Sequence, residues 1–168
     1  KFIVDLEGYL IIKNVLTTDE VRELNRLIDE SDRIGPPSTW GQPFQNLIDH
    51  SNIMPYLLEM IGPYVRVDHD YAIFMSGEEK RGGLHGGEDG GRPGGHEGDH
   101  WYKYRDGVIR NGLCVMTFNL TPARPGDGGF ACIPSRHKSN FTTSIPQEVR
   151  SFERRTHYVL QPSIDAGD

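Results

Sequence analysis

The chain has 168 residues, 36% hydrophobic and 25% charged, with a net charge of −6, which fits one folded domain and argues against a disordered chain. It carries no basic stripe of the kind nucleic-acid binders use, and no apolar run approaches the ~20 residues needed to span a bilayer. Nucleic acid and membrane are set aside as partners, and the oligomeric state is open.

The opening stretch, Phe2 to Val15, reads as a strand or extended segment around Leu10, Ile11 and Ile12. Thr17-Thr18-Asp19-Glu20 is a helix start, a hydroxyl cap with an acid three residues on. Val21, Leu24, Leu27 and Ile28 then recur at helical spacing, which predicts an amphipathic helix over 18–31. Gly35-Pro36-Pro37 breaks the chain, and a second helix is predicted over 53–61, closed by Gly62-Pro63. From Val65 onward the pattern alternates and β-formers dominate, so strands are predicted at 65–75, 113–120, 130–133 and 158–161. Between them lies the glycine-rich stretch 82–98, expected to be an exposed, mobile loop.

Helices first and short strands afterwards predict an α+β protein with an antiparallel β core: one domain over 1–168, helical over 1–64 and β over 65–168. Cys114 and Cys132 lie in apolar, strand-like segments and are expected as buried free thiols, which suits a reducing, cytoplasmic setting. The chain opens on Lys1 and stops at Ala166-Gly167-Asp168 straight after a strand-like run, so a longer protein is expected.

Three segments hold candidate chemistry. His96-Glu97-Gly98-Asp99-His100 matches the H-E-x-x-H pattern of zinc peptidases, which needs both histidines on one helix face. Pro93, Gly94 and Gly95 precede it and Gly98 sits inside it, and glycine costs a helix ~1 kcal/mol per position. The motif is therefore read as loop, and a metallopeptidase is disfavoured. Leu84-His85-Gly86-Gly87 is the better candidate, since non-haem Fe(II) sites use two histidines and one carboxylate and leave positions open. The third segment, 113–141, is two strands joined by a Pro/Gly/Asp turn, then a loop with Pro134, Ser135, His137 and Lys138. Trp40, Trp101 and Tyr102 are either substrate-mouth residues or plain packing.

The opening Leu6-Glu7-Gly8-Tyr9-Leu10-Ile11-Ile12, the histidine of His85-Gly86-Gly87, the Gly128-Gly129-Phe130…Ile133-Pro134-x-x-His137-Lys138 segment and the closing Val159-Leu160-Gln161-Pro162…Ala166-Gly167-Asp168 together resemble the phytanoyl-CoA dioxygenase family. The likeness is strongest to its bacterial His-Gly-Gly members. The resemblance implies a double-stranded β-helix (jelly roll, cupin-like) with the N-terminal helices packed outside and the C-terminal strands missing. It implies Fe(II), 2-oxoglutarate and O2, used to hydroxylate a small organic substrate while 2-oxoglutarate is decarboxylated to succinate. It makes His85 a metal ligand, with no catalytic group beyond the metal ligands, and Thr117 and Asn119, on one strand face, plausible contacts to 2-oxoglutarate.

The sequence departs from that pattern in three places. The usual carboxylate position is Gly87, so Glu88, Asp89 or a later acid is needed, unless a halide takes the place as in related halogenases. The second histidine and the 2-oxoglutarate arginine are expected after Asp168. Pro134-Ser135-Arg136-His137-Lys138 stands where the family has Pro-Gly-Ser-His-Lys, which loses a glycine suited to positive φ. The rival reading from another class is a non-catalytic jelly-roll binding module with a degenerate metal site.

Overall fold

The computed structural model describes residues 1–32, 34–75, 82–85, 102–139 and 145–168. Glu88, Asp89, Gly87, the His96–His100 motif, Trp101 and most of the 82–98 loop therefore lie outside the described residues. Five α-helices are present among those described: α1 (Phe2–Glu7), α2 (Thr18–Glu30), α3 (Gln42–Gln45), α4 (Met54–Met60) and α5 (Gln147–Arg150). Single 3-10 turns form at Pro37–Thr39 and Arg136–Lys138, and one antiparallel hairpin joins β1 (Tyr102–Arg105) to β2 (Val108–Asn111). No helix among these is long and apolar enough to cross a membrane.

Helix α2 is capped as its sequence dictates. The Thr17 hydroxyl accepts from the Glu20 N–H at 3.3 Å, and Glu20 returns a carboxylate to the Thr17 N–H at 2.7 Å. Its apolar stripe delivers Leu24, 1% exposed, into a core with Val15, Leu16, Phe44 and Ile53. Met116, Phe118 and Leu120 pack against that core, whereas Val115 and Thr117 are exposed, the period-two pattern of an extended chain lying on a hydrophobic layer.

The opening segment differs from expectation. Residues 2–7 are helical, and the stretch from Tyr9 to Ile12 carries no assigned helix or strand. Six residues do not hold a helix by local bonds alone. Tertiary contacts supply the remainder: Asp5 takes the Tyr102 hydroxyl, and the Ser135 N–H donates to the Glu7 carbonyl at 2.8 Å. Gly8, at φ 86°, closes the helix in the left-handed conformation. Helices α3 and α5 are further short turns that the apolar periodicity did not predict.

The hairpin was not predicted either, although Asp106 and Gly107, both at positive φ, are the residues a two-residue hairpin turn demands. None of the four segments predicted as strands, 65–75, 113–120, 130–133 and 158–161, forms an assigned strand. Single antiparallel bridges join Ala123 to Ile164 and Cys132 to Leu160. The Gly167 N–H donates to the Asn119 carbonyl at 2.7 Å, and the Leu16 N–H to the Gly167 carbonyl at 2.9 Å. Residues 164–168 thus lie between the 13–16 segment on one side and 119–123 on the other. The 65–75 stretch is held by Asp70, which accepts from the Ser38 N–H at 2.8 Å and hydroxyl at 3.2 Å, and by Phe74 stacked on Trp40.

Candidate functional site

His85 ends the short described stretch 82–85 and is exposed at the edge of an open hollow of about 320 Å³. Gly82, Gly83, Leu84, Gln147, Arg150 and Ser151 share its lining. Two local features build it. The Leu84 N–H donates to the Arg150 carbonyl at 2.8 Å, clamping the backbone before His85 to the end of α5. At Gly83 an added Cβ would stand 3.4 Å from the same carbonyl, ordinary van der Waals contact. Val149, fully buried, anchors α5 behind this contact.

Thr117 and Asn119 do not line this hollow. Thr117 is exposed on the outward side of its segment, and the Asn119 backbone pairs with residues 167 and 168. Trp40 packs edge-on against Phe44 at 5.4 Å and donates its indole N–H to the Ile34 carbonyl at 2.8 Å, so it serves the core margin. Tyr102 is bonded to Asp5 and buried enough that its phenol is pushed up to about 12, with the Asp5 bond adding to the effect of burial. Gln147, Arg150 and Ser151 were missed from the sequence. Pro146 followed by Gln-Glu-Val-Arg is a helix-start signal that could have found them.

The donor set tests the expected iron. Among the described residues no group of three or more His, Cys, Asp and Glu side chains converges where a metal could bind, and His85 is the one imidazole at the hollow. That set alone does not fit Fe(II), which needs three protein ligands in this chemistry. Glu88 and Asp89 follow His85 closely in the chain but lie outside the described residues. Cys114 and Cys132 are free thiols, half-buried, and burial raises the pKa of each.

No family model matches this chain, and comparison with curated proteins and with solved structures found no match.

Proposed function

We propose that this chain is an oxygenase domain of the phytanoyl-CoA dioxygenase type, built on a jelly roll, cytoplasmic, and using Fe(II), 2-oxoglutarate and O2 to hydroxylate a small organic substrate. One observation carries the reading: segments that bear the resemblance, far apart in sequence, meet in space. Leu6 and Glu7 of the opening motif meet Ser135 of the 134–138 loop, and Cys132, within the Gly128–Lys138 segment, bridges to Leu160 of the closing one. The Pro/Gly/Asp turn also meets the closing segment, since the Gly126 N–H donates to the Gln161 side chain at 2.8 Å. A shared set of contacts is what one motif set on one scaffold should produce.

In this reading His85 holds the metal, and a carboxylate from Glu88 or Asp89 or a later acid joins it. The bound metal and cosubstrate would supply the C–H oxidation, while this chain positions the substrate and limits water. The resemblance puts the second histidine and the arginine beyond Asp168, so turnover is tested in the protein that carries them. Fe(II)-dependent conversion of 2-oxoglutarate to succinate is the expected result, and its absence with iron and ascorbate supplied would overturn the reading.

A non-catalytic binding module is the second reading, favoured by the single donor at the described hollow. It predicts small-molecule binding with no metal requirement.

A further inference from the structure

His137 has one nitrogen satisfied and one sealed. It sits in the Arg136–Lys138 turn, reached through Ser135 in the left-handed conformation at φ 65°. Its ring stands edge-on to Tyr102 at 4.6 Å. Nε2 lies 3.2 Å from the Asp5 carbonyl, an acceptor only, so Nε2 carries the proton and donates. Nδ1 is buried and has no hydrogen-bond partner among the described residues. Gly8 closes over it: a Cβ at that position would lie 2.3 Å from Nδ1, which leaves no room for a water between them.

We propose that His137 is an acid-sensitive latch, whose neutral Nε2–H form holds α1 docked and whose protonation at Nδ1 loosens the helix from the 134–138 loop and from β1. A proton on Nδ1 would be a buried donor, on a charged ring, with no acceptor. The charged and titratable groups around the ring do not rescue it. Asp5, from α1, already has its carboxylate engaged by the Tyr102 hydroxyl and by Lys138 Nζ at 3.4 Å. The Glu7 carboxylate is turned to the Tyr9 hydroxyl, Tyr102 of β1 offers its ring, and Arg136 and Lys138 on the turn itself add positive charge. Burial lowers the His137 pKa below its ordinary value, Lys138 lowers it further, and the Asp5 contacts oppose.

The sign follows from linkage. The undocked imidazole binds a proton more readily than the docked one, so docking is fully favoured above the ordinary value of about 6.5 and weakens as pH falls below it. The Asp5 carboxyl, held below its ordinary value first by the Tyr102 hydroxyl bond, changes only at much lower pH. The two groups therefore act in separate windows.

The test is nuclear magnetic resonance of the uniformly labelled 168-residue chain from pH 7.5 to 5.0. The amides of Gly8 and Ser135, bonded to Val4 and Glu7, should lose protection several-fold over this range relative to Leu24 in α2. Their midpoint should coincide with the His137 ring titration and lie below 6.5. In His137→Gln, which keeps a side-chain donor, the step should vanish. Constant protection in the wild-type chain, or the same step in His137→Gln, overturns the latch. If His137→Gln proves undocked at every pH, the coincidence of ring and amide midpoints in the wild-type chain decides, and separate midpoints refute the proposal.

Discussion

The Lys13 ammonium lies 2.6 Å from a carboxylate oxygen of Asp168, 155 residues further along the chain, and the Asp168 side chain is only 2% exposed. The same carboxylate accepts the Asn14 N–H at 3.1 Å and the Asp165 N–H at 2.8 Å. Burial alone would raise this carboxyl, but Lys13 and the two N–H donors outweigh it and hold it below the usual value. A depressed carboxyl stabilises the fold above its unfolded value and loses that contribution as pH falls through the folded one. Asp168→Leu strands two backbone donors at about 1–3 kcal/mol each. Chemical denaturation at pH 7 should show that loss, and the variant should be less acid-sensitive than the wild-type chain below pH 4.

Gly167, beside this carboxylate, is the tightest point of the closure. It has φ 92°, and an added Cβ would stand 2.8 Å from the Leu16 carbonyl oxygen and 3.5 Å from Val21. The obstacle is backbone, so it cannot rotate aside. Gly167→Ala should cost about 1–2 kcal/mol from the left-handed conformation alone, with the clash added. A melting-temperature drop larger than that of Gly126→Ala is expected, since Gly126 shares the positive φ and has open space around it.

Tyr102 should ionise late. Its phenol, raised to about 12 by burial and then by Asp5, stabilises the fold below its ordinary value near 10 and loses that contribution as pH rises through about 12. A tyrosinate absorbance titration should therefore show a late step for Tyr102 that Asp5→Asn moves downward, while Tyr9, also raised, first by burial, stays where it is. An unchanged late step would show that α1 does not hold the phenol.

Thr17→Ala should lower stability by about 0.5–2 kcal/mol, because it removes one partner of a reciprocal cap. The loss should appear as reduced helicity on thermal melting. Glu20 is held below its ordinary value first by the Thr17 hydroxyl, so the cap's contribution fades as pH falls below about 4.5.

That cap shows what could be seen beforehand. Helix α2 and helix α4 were legible because cap, periodicity and a terminating glycine-proline are local signals, and the structure places them within a residue or so of 18–31 and 53–61. Helix α1 was not, because its stability comes from Asp5 meeting Tyr102 and from Ser135 meeting Glu7, partners over 90 residues away. The hairpin at Asp106-Gly107 carried a local signal that a search for longer β runs passed over. At the hollow, His85 stood out as a residue type in a glycine setting, whereas Arg150 enters it only because a backbone bond to Leu84 brings α5 there.

The metal assignment separates three histidines that the sequence offers. His85 lies at an open hollow with backbone clamped on one side and glycines on the other, so a metal and further ligands can approach it. His96 and His100 belong to a peptidase-like spacing set among glycines, where a helix is costly. In a chain that carries the second histidine and the arginine the resemblance implies, His85→Ala should abolish Fe(II) binding, read anaerobically by calorimetry, together with 2-oxoglutarate turnover. His96→Ala and His100→Ala should leave both within about twofold, a difference of ~0.4 kcal/mol. A carboxylate ligand should also show: Glu88→Gln or Asp89→Asn should weaken binding, whichever supplies the charge that two histidines lack. If neither does and chloride restores binding, the Gly87 vacancy takes a halide. Loss of metal in His96→Ala or His100→Ala with retention in His85→Ala would transfer the site to the peptidase-like motif and end the oxygenase assignment.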